Sequence, residues 1–263
     1  MSLTSEVRGS GPPLVLLHGF TQTGRLFGPF GDALAKDYTL LTLDLPGHGD
    51  AAAVRADLAG TAALVCEAVA ERLGDEPFVM VGYSLGARVA LHVVTSAQAV
   101  TPEGLVVIGA TGGIEDPGER AARRARDEAT ADDLERDGDV EAFIDRWLAG
   151  PMFAGLGGAA DVAERRRNTA SGLASSLRLC GTGTQTPLWD ALKAVDIPTL
   201  ALAGTDDNRF AAHALRLARA MPGCVATLVP GGGHAVHLAQ PATTTAVVGH
   251  WLSLVTSPPQ SRA

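Results

Sequence analysis

The stretch "VMVGYSLGARVAL", Val79 to Leu91, places one serine between two glycines, after an apolar run and directly before a helix-forming run. The chain must turn sharply at Ser84. A G-x-S-x-G turn between strand and helix holds the serine hydroxyl clear of the backbone, with the glycines making room for it. Glycine and serine also fill ordinary turns, so the chemistry needs partners. A serine hydroxyl becomes a base or nucleophile only when an imidazole takes its proton and a carboxylate fixes the imidazole's tautomer. Two later loops contain these groups, "GTDDNRF" (204–210) and "PGGGHAVH" (230–237). His234, behind three glycines, is the expected base, and His237 is expected to pack where the last helix begins. Asp207 is the expected carboxylate, with Asp206 capping a turn or the helix near Ala211. Backbone N–H groups of Phe20, at the end of "LVLLHGF", and of Leu85 are the expected donors to a developing oxyanion. His18 is expected to hold its loop by hydrogen bonding. His48 has no carboxylate or cysteine cluster at metal spacing around it, so no metal is expected.

Short Val-, Leu- and Thr-rich runs must position these loops. Leu14–Leu17, Thr39–Leu45, Phe78–Val81, Gly104–Ile108, Thr199–Ala203 and Val225–Val229 read as buried parallel strands. Phe27–Lys36, Val54–Leu73, Leu85–Ser96 and Ala211–Ala220 read as crossover helices, with Thr243–Val255 closing the fold. This is a doubly wound α/β pattern. From about Ile114 to Ala194 the sequence is charged and helical without a strand-like run, which suggests a cap over the C-terminal edge of the sheet. The expected division is a core at 1–110 and 195–257, a helical cap at 111–194 and a disordered tail at 258–263. The 263 residues, 46% of them hydrophobic, suit one core with an insertion. A net charge of −8 argues against nucleic acid or an anionic membrane as partner, and any anionic ligand needs a local basic cluster. No signal peptide and no membrane-length apolar run is present, so a cytoplasmic protein is expected. Cys66, Cys180 and Cys224 are odd in number and widely spaced, which reads as packing. Nothing in the sequence sets the oligomeric state.

HGF, DLPGHG, GYSLGAR, GTDD and GGGHAVHLAQP, taken in order, resemble the α/β-hydrolase superfamily across nearly the whole chain. That resemblance implies an α/β-hydrolase fold, a mostly parallel sheet flanked by helices with an inserted helical cap. One triad serves esterases, dehalogenases, C–C hydrolases and lyases, so the superfamily leaves the chemistry open. "GYSLGAR", "ERAARRARDE", "FIDRWLAGPMF", "RRRNTASGL" and "LRLCGTGTQTPLWDAL" together resemble the 2-succinyl-6-hydroxy-2,4-cyclohexadiene-1-carboxylate synthases of menaquinone biosynthesis. The narrower resemblance implies a lyase that eliminates pyruvate from a small substrate with three carboxylates, using Ser84, His234 and Asp207 as the base and no cofactor or metal. It also implies substrate contacts from Tyr83, Arg88, Arg123, Trp147, Arg167 and Arg209. Arginine suits that task because its planar fork binds a carboxylate through two hydrogen bonds. Arg88 follows Ser84 by about one helical turn. Arg123 shares its helix with Arg120, Arg124 and Arg126, where the register can slip by one, and Arg165 and Arg166 are the solvated companions of Arg167. Trp147 fits either a pocket wall or an anchor within the cap. Two features depart from the family pattern: a short hairpin before the first strand, and Asp50 where serine is common. An ester or C–C hydrolase and a non-catalytic receptor are the competing readings. The arginine set separates the lyase from the hydrolase.

Overall fold

Six apolar runs and one polar run pair into a single seven-stranded sheet in the computed structural model, which describes residues 3–96 and 100–256. The tail expected at 258–263 lies outside the described residues. The strands are β1 (Ser5–Gly9), β2 (Pro13–Leu17), β3 (Thr39–Leu43), β4 (Val79–Tyr83), β5 (Gly104–Ile108), β6 (Thr199–Gly204) and β7 (Cys224–Val229). Their order across the sheet is β1-β3-β2-β4-β5-β6-β7. β1 runs antiparallel to β3, and every other pairing is parallel. The order reverses at β2, so the C-terminal ends of β2 and β4 flank the topological switch point, where open α/β sheets form their ligand crevice. Leu17 of β2 stands opposite Gly82 of β4. The loops carrying His18 to Phe20 and Ser84 therefore leave the sheet side by side. β1 is absent from the expected strands because "SEVRG" carries a single hydrophobic side chain, Val7, which is exposed on the sheet edge.

Strand alternation sends neighbouring side chains to opposite faces. Val15, Leu17, Met80, Val107 and Ala201 face α2 (Leu58–Leu73), α3 (Leu85–Thr95) and α9 (Asn208–Ala220). Leu14, Leu16, Val79, Val81 and Leu202 face α1 (Gly28–Leu34), α10 (Val236–Ala239) and α11 (Pro241–Val255). Each fully buried Leu or Val contributes about 1.5–3 kcal/mol relative to exposure, which fixes the strand register and with it the loops at the strand ends. The two largest shifts in helix start, at α2 and α9, arise because a side chain caps each helix elsewhere. Asp57 accepts from Gly60 N–H and starts α2 at Leu58, and Asp207 accepts from Phe210 N–H and starts α9 at Asn208.

Between β5 and β6 the described chain forms helices only: α4 (Pro117–Asp137), α5 (Val140–Leu148), α6 (Val162–Arg165), α7 (Ala170–Cys180) and α8 (Trp189–Leu192), with short 3-10 turns. α4 is polar on most of its surface and buries only Asp127, Ala131 and Leu134. Ala131 packs with Ala174 and Leu177 of α7, while Leu134 packs with Phe143, Ile144 and Leu173. Phe20, from the loop after β2, packs against both groups, so the insertion is seated on the loop that leaves β2.

Candidate active site

At the turn between β4 and α3, Ser84 has φ +50° and ψ −102°, a conformation that L-residues avoid. The neighbouring glycines are required by contact. A Cβ on Gly86 would overlap the carbonyl oxygen of Leu17, and one on Gly82 would lie 2.6 Å from Ala87 Cα. Gly86 N–H donates to His18 O at 2.9 Å and Ser84 N–H to Ile108 O at 2.9 Å, which ties the turn to β2 and β5. Close backbone approach on both sides thus holds Ser84 in its strained position.

His234 reaches this serine from the loop after β7. Asp207 lies opposite, in the loop after β6. Burial opposes ionisation of Asp207, but the hydrogen bonds from His234 and from Phe210 N–H outweigh it and hold the carboxyl below its ordinary range. A carboxylate can only accept, so His234 Nδ1–H donates to Asp207 Oδ2 at 3.0 Å. That tautomer leaves Nε2 as the acceptor for Ser84 Oγ–H, also at 3.0 Å. Ser84, His234 and Asp207 therefore form one continuous hydrogen-bonded chain. The cap role expected of Asp206 belongs to Asp207 itself, whose Oδ1 accepts from Phe210 N–H at 3.1 Å. Asp206 is exposed and accepts from Thr205 Oγ1.

The N–H groups of Phe20 and Leu85 have no hydrogen-bond partner among the described residues, and both residues line the cavity above Ser84. The loop that presents Phe20 is held by two buried histidines. Leu45 N–H donates to His18 Nε2 at 3.0 Å, and His18 Nδ1–H donates to Gly19 O at 2.8 Å. Thr21 N–H donates to His48 Nε2 at 3.3 Å, and His48 Nδ1–H donates to Pro46 O at 3.1 Å. Burial lowers their pKa values to about 4 and about 3, so both remain neutral and each can donate and accept at once. Neither forms part of a metal-ligand cluster among the described residues.

The cavity occupies about 680 Å³, solvent at its mouth included, and extends from Ser84 and His234 beneath α4, α5 and α7. Arg88, Arg123 and Arg209 line it, and among the described residues no carboxylate does. Arg88 is buried with Nη1 unpartnered, and burial lowers its pKa to about 10, well above neutrality. Arg123 lines the cavity and donates from Nε to Asp127 Oδ1 at 2.8 Å, whereas Arg124 and Arg126 are exposed. Trp147 has both of its expected characters. It lines the cavity with a buried, unpartnered Nε1, and its ring packs against Phe20, Phe143 and Phe153.

Two expected contacts lie elsewhere. Tyr83 belongs to the opposite sheet face, where its ring packs 4.4 Å from His237 and 5.4 Å from His234, and it does not line the cavity. Burial raises its phenol pKa, so the group stays protonated. Arg167 points outward to Asp50 Oδ1 at 3.1 Å and Glu164 Oε1 at 2.8 Å. The arginine turned inward is Arg165, 1% exposed, in contrast to the solvated companion that the sequence suggests. Its Nη1 donates to Thr21 Oγ1 at 2.6 Å. Thr111, Ser176, Thr182 and Phe210 also line the cavity. Of these, Phe210 ends the "GTDDNRF" loop and Thr182 lies in "LRLCGTGTQTPLWDAL", both segments that the sequence singled out, whereas Thr111 and Ser176 carried no such signal.

A sequence model of the alpha/beta hydrolase family matches residues 14–247. The chain is 34% identical to 2-succinyl-6-hydroxy-2,4-cyclohexadiene-1-carboxylate synthase of Klebsiella pneumoniae, over 92% of this chain and 94% of that one. It is 30% identical to the enzyme of the same name from Serratia proteamaculans, over 92% and 93%. The solved structure of MenH from S. aureus superposes with a TM-score of 0.89 at 25% identity, covering 98% of this chain and all of the other. With its seven-stranded sheet and helical insertion, the chain belongs to the α/β hydrolase family and, within it, to the 2-succinyl-6-hydroxy-2,4-cyclohexadiene-1-carboxylate synthases.

Proposed function

We propose that this protein is a carbon–oxygen lyase that eliminates pyruvate from 2-succinyl-5-enolpyruvyl-6-hydroxy-3-cyclohexene-1-carboxylate to give 2-succinyl-6-hydroxy-2,4-cyclohexadiene-1-carboxylate. Besides family membership, the observation that carries this reading is a cavity directly above Ser84 that, among the described residues, is lined by three arginines and no carboxylate, in a protein of net charge −8. A substrate with three carboxylates is repelled by the molecule as a whole and attracted by that cavity alone. A small neutral ester would gain nothing from the arginines. The helices between β5 and β6 act as the cap that encloses this substrate.

His234, oriented by Asp207, accepts the Ser84 proton, and Ser84 Oγ removes the ring proton α to the succinyl ketone. Charge develops on the ketone oxygen, where Phe20 and Leu85 N–H stabilise it. The electrons then form the C2–C3 double bond, the C3–C4 double bond moves to C4–C5, and the C5–O bond breaks to release enolpyruvate, which takes up a proton to become pyruvate. Arg88, Arg123 and Arg209 bind carboxylates throughout. The test is to supply the enolpyruvyl substrate and follow pyruvate. Stoichiometric release with a matching diene absorbance is expected, and no release at high enzyme concentration would return the chain to ester or C–C hydrolysis.

A further inference from the structure

Apart from glycines, the described residues with positive φ are Thr21, Ser84 and Asp161. Thr21, at φ +68°, follows Phe20 directly and is fully buried. A β-branched side chain resists the left-handed region, so the surroundings must hold it there. Every polar group of Thr21 is engaged, each by a different residue. Its N–H donates to His48 Nε2, Arg165 Nη1 donates to its Oγ1 at 2.6 Å, and Asn168 Nδ2 donates to its carbonyl oxygen at 2.8 Å. Arg165 and Asn168 lie in the inserted segment, 144 and 147 positions further along the chain. Both are themselves fastened. Arg165 Nε donates to Ala160 O at 2.6 Å, and Asn168 Oδ1 accepts from Gly49 N–H at 2.9 Å. Neither lines the cavity.

We infer that Arg165 and Asn168 are positioning residues for the oxyanion donor: by clamping Thr21 in its left-handed conformation from the inserted segment, they aim Phe20 N–H at the cavity. The inference rests on the proposed role of Phe20 N–H. If Thr21 relaxes to negative φ, the Gly19–Phe20 peptide swings relative to the turn that follows, and the donor leaves its line to Ser84. The clamp touches no reacting atom. Its effect therefore falls on stabilisation of the oxyanion and not on capture of substrate by the arginines.

Phenylboronic acid tests this without the substrate. Ser84 Oγ adds to boron while the serine proton passes to His234, and the resulting anionic tetrahedral boronate sets an oxygen against Phe20 and Leu85 N–H. Full loss of an oxyanion donor costs about 10²–10³ in rate, so misaiming one is expected to weaken boronate at least ~10-fold. Thr21→Val, which keeps the shape but not the hydroxyl, and Asn168→Ala should both show this weakening. Thr21→Ser should lose less than about threefold, because it retains the hydroxyl that Arg165 grips. In pyruvate release the same two damaging variants should lower kcat with KM nearly constant. Boronate affinity within about twofold of wild type in both, at an error smaller than the ~10-fold effect sought, would overturn the inference. So would an equal loss in Thr21→Ser, or a wild-type chain that forms no adduct. Boronate capture needs no lyase chemistry, so a chain that binds it tightly yet releases no pyruvate separates failure of the lyase reading from failure of the clamp.

Discussion

Replacing Asp207 by asparagine should abolish most turnover while leaving the fold in place, because the two carboxylate oxygens do different work. Oδ1 accepts from Phe210 N–H and caps α9, and Oδ2 accepts from His234 Nδ1–H. Phe210 N–H is a donor, so it keeps the oxygen of the introduced amide facing it and leaves the amide NH₂ toward His234. Asparagine is as good an N-cap as aspartate, so the helix start survives. The imidazole must then accept at Nδ1 and carry its proton on Nε2, which presents a hydrogen to Ser84 Oγ where an acceptor is needed. In a serine protease triad the equivalent exchange lowers kcat about 10⁴-fold, which corresponds to about 5.4 kcal/mol of barrier. The lost charged hydrogen bond should cost stability on the order of 1 kcal/mol, or about 2–4 °C in Tm for a chain of this size. Asp206→Asn is the control. Asp206 is exposed, its contact is Thr205, and surface exchanges of this kind stay within about 0.5 kcal/mol, or roughly twofold. Pyruvate release under saturating substrate, with a thermal melt of each variant, decides the matter. Equal losses at the two positions, or a loss below about tenfold at Asp207 with the melt unchanged, would refute the tautomer argument.

Arg88→Met should separate binding from folding. Removing a charge that pairs with a substrate carboxylate in a desolvated cleft costs roughly 2–5 kcal/mol in kcat/KM, while replacing an unpartnered buried guanidinium by an apolar side chain should raise Tm in the empty protein; a lower Tm would show that Arg88 is paired. His237→Phe should stabilise the chain and weaken its acid sensitivity. His237 is buried against Phe27, Phe30 and Tyr83 with both ring nitrogens unpartnered, and burial lowers its pKa to about 3. Its folded pKa lies below the unfolded value near 6.5, so the unfolded state takes up the proton first and stability falls as pH drops from about 6.5 toward 3, by about 1.4 kcal/mol per unit. Denaturant unfolding at pH 7 and pH 5 would show this slope reduced in His237→Phe, and an unchanged slope would place the titration elsewhere.

What the sequence made legible follows from which physical rule fixes each position. The serine, carboxylate and imidazole could be placed because proton transfer demands those groups and each lies on a loop at the end of a buried strand. Sheet register then carries the loops together. Tyr83 was legible in principle. It stands two residues beyond Val81, so alternation sends it to the face packed against α1, α10 and α11, away from the cavity. Arg123 could also be registered, since Asp127, Ala131 and Leu134 follow it at helical spacing and form the buried stripe of α4. The "RRRN" run gave no such handle. α6 has four residues and no apolar stripe, and it ends at Arg165, so no helical register carries on to Arg167. Arg165 turns inward and Arg167 outward, and counting back from Gly172 selected the outward one.

Placement therefore followed where an element fixes the register: Ser84, His234 and Asp207 meet at the strand ends, and Arg88 and Arg123 line the cavity from α3 and α4, while Tyr83 beside Ser84 faces the other side of the sheet. Arg167 lies in a short irregular stretch where a shift of two residues exchanges a buried side chain for an exposed one. The exchange has a physical consequence. Arg167 closes a surface ion pair with Asp50, the residue that departs from the family's serine, and a pair so exposed is worth about 0–1 kcal/mol. Arg165 instead grips Thr21 beside Phe20, in an environment where an unmet hydrogen bond costs about 1–3 kcal/mol. The inward arginine, and not the one that the motif count favours, is thus coupled to the chemistry, and it acts through the backbone of the loop after β2 without reaching the ligand itself.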